Sequence, residues 1–391
     1  MQKKFILLGF TILIIFIFTF LLKSNDKKSN QFINQDSTVT ICISAVGDLM
    51  CHSPQVDYAK VKTDSFDFNP TFQYVKKYIE KSDFAFGNLE TVTGGKALGY
   101  SGYPYFNAPD EFVSAIKNAG FNLLTTSNNH ALDKGENGLL RTISVIKKNV
   151  INYVGTFTSQ RDRDSIRIFN IKGIKIAFLA YTYGTNGNLI PPNNKYIINL
   201  IDTSVIKNDI ESARKQNADV VLVYYHFGEE YHRLPTEFQK NIVDNTIKYG
   251  ADIIIGGHPH VIEPVTFFKT HNSKLDSGFV EYSLGNFISN QRWRYSDCGV
   301  ILNLYLTKNL ITNYTSISRI TYIPTWVYKG KIKNKNEYEI LPLLNKNINN
   351  EFNFLSGSDL NKMRQAFNDT KDILETYTHK ISIENIISTN N

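Results

Sequence analysis

The chain has 391 residues, 42% of them hydrophobic and 13% aromatic, which allows one large domain or two ordinary ones and excludes a disordered chain. The net charge is +7, but the lysines are scattered and form no stripe, which argues against a nucleic-acid partner and stays compatible with encounter of a polyanion. Cys42, Cys51 and Cys298 stand in no metal-binding spacing, and an odd number excludes a fully paired disulfide framework.

Phe5 to Leu22 runs without a charge, between Lys3-Lys4 and Lys23. A bilayer-spanning helix takes about 20 apolar residues. No Ala-x-Ala-like cleavage site and no lipobox cysteine follows. Residues 1–23 are therefore expected to form an uncleaved signal anchor, a single transmembrane helix. The polar residues 24–37 read as a tether. Cations flank both ends of the span and do not orient it, but no second such run occurs, so the body lies on one side of the membrane.

From Thr38 the pattern alternates strands and helices. Val39–Val46 reads as a strand ending at Gly47-Asp48, and Thr71–Glu80 as a helix leading to the strand Phe84–Gly87. A helix over Asp110–Ala119, closed by Gly120, precedes the strand Phe121–Thr126 and a helix over Gly138–Lys148. Ser165–Ile171 and Ile174–Tyr181 flank Lys172-Gly173 as an antiparallel hairpin. A helix over Ser204–Gln216, a strand Asp219–Tyr225, a helix Thr236–Tyr249 and a strand Asp252–Ile255 follow. Beyond Glu263 the chain is strand-rich through Tyr322, with one more helix at Asp359–Tyr377. The class is α/β with mixed sheets: a main domain over 38–330 and a C-terminal extension over 331–391.

The polar residues collect where strands end. Five clusters follow five strands: Gly47-Asp48, Gly87-Asn88-Leu89-Glu90, Ser127-Asn128-Asn129-His130, His226-Phe227-Gly228-Glu229-Glu230, and Gly256-Gly257-His258-Pro259-His260. In α/β sheets, sites form beyond the strand C-termini. Taken singly, Asp48 reads as a turn residue, Glu90 as a cap or surface group, and a buried histidine as a structural one. Together, carboxylates, a carboxamide and imidazoles suit a divalent ion, one or two of Mn²⁺, Fe²⁺ or Zn²⁺, better than Ca²⁺ or a structural zinc.

Those clusters, with Asn88-Leu89-Glu90-Thr91, Asn128-Asn129-His130-Ala131-Leu132-Asp133 and Tyr282-Ser283-Leu284-Gly285-Asn286-Phe287, resemble the CapA family over roughly Thr38 to Trp326. Those are poly-γ-glutamate capsule synthesis proteins related to the calcineurin-like metallophosphoesterases. The resemblance implies a four-layered α/β/β/α metallophosphoesterase-like sandwich. It implies that Asp48 and His260 hold one metal, Asn129, His226 and His258 a second, and that Glu90 bridges them. His130 takes the place of the catalytic histidine.

This chain departs from the phosphoesterase Asp-x-His pattern: position 50 is Met50, and His52 is the nearest histidine, with Cys51 between them. His52 is therefore a further ligand candidate. Asp133, Glu229, Glu230, Asn286 and Arg292 are candidates for supporting the metal or binding substrate. The implied setting is a single-pass protein of the cell membrane with its large domain outside, working on a polyanionic polymer such as poly-γ-glutamate beside other capsule synthesis subunits. Three roles follow: a metal-dependent hydrolase or transferase acting on a phosphoester or an amide, a non-catalytic accessory subunit of the polymer synthase, or a general extracytoplasmic metallophosphoesterase.

Overall fold

The structure is a computed structural model and describes residues 37–271, 273–344 and 352–384. The expected anchor, 1–23, and all of the tether but Ser37 lie outside the described residues. Among the described residues no helix is long and apolar enough to cross a membrane.

Two sheets carry the fold. The run from Thr38 is a strand as expected, but it continues to Leu49 and so carries Asp48 on the strand itself. It lies inside a sheet ordered Lys335–Pro342, Thr315–Ile332, Cys298–Asn309, Thr38–Leu49, Phe84–Leu89, Leu123–Thr125, Asn152–Val154. Asn286–Ile288 pairs with the end of Thr38–Leu49, and Ile381–Ile383 with Thr315–Ile332. The second sheet is ordered Val265–Lys269, Ser277–Glu281, Ile253–Gly257, Val220–His226, Ile174–Thr182, Arg167–Ile171. Its outer pair is the expected hairpin, turned by Lys172 and Gly173, both at positive φ as a two-residue turn of the primed kind requires.

Strand alternation sets the layers. Ile41, Ile43 and Phe86 of the first sheet meet Ile176, Phe178 and Leu222 of the second between the sheets. On its other face, the first sheet packs Val46, Ala85 and Leu124 with Phe112 and Ile116 of the helix Asp110–Asn118 and Leu139 and Ile143 of the helix Gly135–Lys148. The second sheet covers Leu179, Val221 and Ile254 with Ile206 and Ile210 of the helix Thr203–Lys215 and Ile242 and Val243 of the helix Glu237–Tyr249. The order is helix, sheet, sheet, helix. Each fully buried Val, Leu, Ile or Phe side chain among them contributes about 1.5–3 kcal/mol.

Two expectations change. The helix expected over Thr71–Glu80 is two short turns, Asn69–Phe72 and Lys76–Ile79. The Val75 N–H bonds to the Phe72 carbonyl and the Tyr78 N–H to the Val75 carbonyl, three-residue steps that interrupt the four-residue ladder. Phe72, Val75 and Ile79, spaced i, i+3 and i+7, are still buried in one cluster, so the broken turns keep the face of a helix. The division expected at 330 falls inside the strand Thr315–Ile332. Lys333 and Asn334, both at positive φ, turn that strand back into Lys335–Pro342 of the same sheet. The helix Gly357–Glu375 then sends Met363, Phe367 and Leu374 into the inter-sheet core. The described C-terminal residues are thus part of the main body.

Candidate metal centre

The strand ends of both sheets converge. Asp48 is in register with Asn88 in the first sheet, and His226 with Gly257 in the second. The approach is close enough to need glycine: a Cβ at Gly47 would strike the Gly285 carbonyl, and one at Gly257 would strike the Tyr224 hydroxyl. Past Gly257 the chain places His258 at φ +98 and His260 at φ +59. For non-glycine residues this costs on the order of 1–3 kcal/mol each, and such strain clusters at functional sites. The reward is placement. The His258 N–H donates to Asp48 Oδ2 at 3.2 Å, and His260 Nδ1 lies 3.4 Å from the same oxygen.

Two donor groups result, with their ligand atoms within 4.8 Å of one another: Asp48, Glu90 and His260, and Glu90, His226 and His258. All five residues are buried. Glu90 belongs to both groups. Its carboxylate is fully enclosed, and neither oxygen accepts a hydrogen bond among the described residues; Oε1 lies 3.5 Å from His226 Nε2 and 3.9 Å from His260 Nε2. His258 Nδ1 is likewise buried without a partner among the described residues. Asn129 joins them, its Oδ1 2.9 Å from His226 Nε2.

The electrostatics match a cation. Burial, then Asp48, pushes the Glu90 carboxyl well above its ordinary range. Burial would raise Asp48 too, but the contact with His260 and the neighbouring imidazoles hold it at about 2. Burial lowers His226 to about 3 and holds His258 well below its usual value, so both present lone pairs. His260 is held up at about 9, against its burial, by Glu90 and Asp48. An isolated buried carboxylate is costly unless paired or coordinated, and since metal ligands must be deprotonated, a divalent ion would take the place of the protons that Glu90 and His260 otherwise hold. The residues present therefore fit a divalent ion shared at Glu90.

Around this core, Asn286 Oδ1 lies 3.0 Å from His260 Nδ1, the outer contact that orients a ligating imidazole. His130 Nδ1 is 2.8 Å from Asp133 Oδ2, and the Phe106 N–H donates to that oxygen at 2.7 Å. The Phe106 ring meets His130 edge-on, with centroids 4.7 Å apart. A cleft of about 400 Å³ opens over His130 and His260.

Four residues fall elsewhere, the candidates His52, Arg292 and Glu229 and the neighbouring Cys51. His52 is in neither donor group. The chain leaves the strand when the Met50 N–H bonds to the Ile288 carbonyl, and His52 then caps the helix Ser53–Ala59. Its Nδ1 accepts from the Asn290 N–H at 3.3 Å, and it lines the cleft mouth instead. Cys51 is fully buried in an apolar cluster, which raises its thiol and removes it as a ligand. Arg292 turns away from the cleft, donating to the Val327 carbonyl with its guanidinium 5.7 Å from the Trp326 ring. Glu229 is exposed and pairs with His232 at 2.7 Å.

Two participants were missed. Asn88 Nδ2 donates to Asp48 Oδ1 at 2.8 Å and lies 3.3 Å from His226 Nδ1, tying the two sheets together. Its signal was present in the Gly87-Asn88-Leu89-Glu90 cluster, two residues before Glu90. Tyr183, whose ring centroid lies 4.6 Å from that of His258, follows the strand Ile174–Thr182, a sixth strand end that the sequence presents only as half of a hairpin.

A mixed nitrogen and oxygen donor set, joined by one carboxylate at the strand ends of an α/β sandwich, defines a candidate metal-binding protein. The model of the bacterial capsule synthesis protein PGA_cap family matches residues 42–291, well over half of the chain, and the chain belongs to that family. It is 30% identical over 283 residues to capsule biosynthesis protein CapA of Bacillus anthracis, covering 71% of this chain and 65% of that protein. It is 29% identical over 327 residues to PGA biosynthesis protein CapA of Bacillus subtilis strain 168, covering 82% and 83%. Among solved structures, it has a TM-score of 0.40 and 15% identity to the calcineurin-like phosphoesterase YfkN of Bacillus subtilis, over 85% of this chain and 98% of that one. With the NAD nucleotidase of Haemophilus influenzae the values are 0.45 and 16%, over 89% and 64%. Likenesses at these scores decide nothing about the chemistry.

Proposed function

We propose that this chain is a metal-dependent hydrolase or transferase of capsule polymer synthesis or export. In this reading its N-terminal segment anchors it in the cell membrane with the large domain outside, beside other capsule synthesis subunits. The observation that carries the metal reading is Glu90: a fully buried carboxylate, shared by two donor groups, with neither oxygen hydrogen-bonded among the described residues. The relatives' names support the capsule role, and the uncharged run Phe5 to Leu22 supports the anchor.

Asp48 and His260 would hold one divalent ion, Asn129, His226 and His258 the other, with Glu90 between. Mn²⁺, Fe²⁺ or Zn²⁺ suits these donors. Such ions supply Lewis-acid stabilisation of developing negative charge and lower the pKa of water. The chain's own residues do the rest. Asn286 orients His260, and Asn88 holds Asp48 and His226 in a common frame. Asp133 fixes one nitrogen of His130, leaving the other to deliver a proton to a leaving group in the cleft.

The test is metal analysis of the full chain beside Asp48→Ala, His258→Ala and His130→Ala. The first two should lose bound metal. His130→Ala should keep it while turnover falls by about 10²–10⁴-fold, the usual share of general acid–base help. Unchanged metal in both ligand variants would sink the site. Full turnover in His130→Ala would refute His130 as the proton donor, and undiminished polymer production in that variant would leave a metal-holding accessory subunit.

A further inference from the structure

The mouth of the metal cleft has an unusual charge for a site meant for phosphate. Glu230 forms a third group with His258 and His260, its carboxylate within 4.8 Å of their ring nitrogens, yet it is exposed where the others are buried. It therefore faces the open side of the metal-binding residues, where a reacting group would sit. Its position is built. Gly228 at φ +111 and Tyr231 at φ +66 bend the segment back, and the Tyr231 N–H donates to the Pro259 carbonyl at 2.7 Å, pinning the segment to the His258–His260 loop. The Tyr231 hydroxyl accepts from Gln291 Nε2 at 3.2 Å, and Gln291 Oε1 accepts from Asn286 Nδ2, the residue beside His260.

No lysine or arginine lines the cleft among the described residues. The nearby arginines are committed: Arg292 to the Val327 carbonyl and Arg294 to Asp369. What the mouth offers is aromatic surface, Tyr103, Tyr231 and Trp293, with the last two edge-on at 5.0 Å, and the uncharged amides Asn290 and Gln291. Sites that take phosphate groups supply cations, above all bidentate arginine. Here Glu230 brings the one carboxylate among the described side chains that line the cleft.

We infer that Glu230 is a charge filter, which keeps dianionic phosphoryl groups off the metal face and leaves the site to an uncharged acyl carbonyl, the amide of a polyamide being the class that fits. The inference rests on the metal reading above and chooses between its two substrate classes. In the amide reaction water gives its oxygen to the carbonyl carbon. Its two protons pass, by way of His130, to the nitrogen as the C–N bond breaks, leaving a carboxylate and an ammonium. No oxidant or reductant is needed. A neutral carbonyl meets no repulsion from Glu230, whereas a phosphate dianion meets it twice over.

The experiment uses full-length protein loaded with Mn²⁺, its metal content measured, and titrated with inorganic phosphate by calorimetry. Wild type, Glu230→Gln and, as a control, the exposed Glu229→Gln are compared. Glu230→Gln should bind phosphate about tenfold more tightly or better, the ratio that roughly 1.4 kcal/mol of lost repulsion gives, with metal content and the Glu229→Gln value unchanged. Turnover of p-nitrophenyl phosphate relative to an N-acyl amide should rise in the same variant. Equal phosphate affinity in wild type and Glu230→Gln, both carrying metal, overturns the filter. Loss of metal in Glu230→Gln makes the residue a ligand and overturns it as well. Absence of metal from all three proteins overturns the metal reading itself, and this inference with it.

Discussion

Two buried glutamates near opposite ends of the strand Thr38–Leu49 show what separates a structural carboxylate from one built for a cation. Glu384, 7% exposed, lies near Cys42 beside a cavity of about 280 Å³. It accepts from Thr321, from Asn303 at 3.5 Å and from Tyr305 at 3.3 Å, with Lys81 at 3.8 Å. Glu90, at the Asp48 end, accepts no hydrogen bond on either oxygen among the described residues. Both carboxylates are taken out of water, but only Glu384 receives donors in exchange. A fold that leaves a carboxylate in the state of Glu90 bears a desolvation cost of several kcal/mol. Its surroundings, two imidazoles that burial keeps neutral and a second carboxylate, are what a divalent ion would use.

The contrast can be broken most forcefully at Glu90. Saturating Mn²⁺ should stabilise the wild type, by about 2.7 kcal/mol at a hundredfold excess over Kd, read as a rise in Tm that EDTA reverses. Glu90→Gln should lose that response while melting no lower than metal-free wild type, because it replaces a buried carboxyl that has no hydrogen-bond partner among the described residues. A full Mn²⁺ response in the variant would refute Glu90 as the shared ligand. Glu384→Ala should behave in the opposite way. It strands its donors and should cost about 1–3 kcal/mol whether metal is present or absent, measured by denaturant unfolding. A metal-dependent cost there would erase the distinction.

Glu263 sharpens the comparison as an intermediate case. One oxygen accepts from Gln239 Nε2 at 2.6 Å and the other has no partner among the described residues. Burial, partly offset by Gln239, raises its carboxyl from 4.5 to about 8. Below pH 4.5 it is protonated in both folded and unfolded chains. Between 4.5 and 8 the unfolded chain releases the proton while the folded one keeps it, so stability falls as pH rises through this window. Glu263→Gln should reduce the fall in Tm between pH 5 and pH 8 without abolishing it, since Glu339, also raised to about 8 by burial, keeps its own share. An unchanged pH profile would show that Glu263 ionises normally in the fold.

The legibility of the fold varied with the kind of signal. Periodic segments with clear ends, such as the helices Thr203–Lys215 and Glu237–Tyr249, lie within a residue or two of their expected bounds, because amphipathic spacing and capping are local. The segment 71–80 keeps the buried face of a helix at Phe72, Val75 and Ile79, but three-residue hydrogen-bond steps break its backbone into two turns, which amphipathic spacing does not report. The boundary at 330 failed because Lys333-Asn334 is a turn without glycine or proline to announce it.

For the site, sequence alone determined the residue types and their places at strand ends: Asp48, Glu90, Asn129, His226, His258 and His260 all stand together in space. Only the tertiary structure decided which oxygens go unpartnered, that Glu90 is shared by two donor groups, and that Glu230 faces the cleft while Arg292 and Glu229 do not. It also removed His52 and Cys51, which local spacing had kept beside Asp48. The reason is physical. Spacing along a strand reports which residues arrive at its end, whereas coordination depends on side-chain direction and on which neighbours satisfy each atom, and those are properties of two packed sheets.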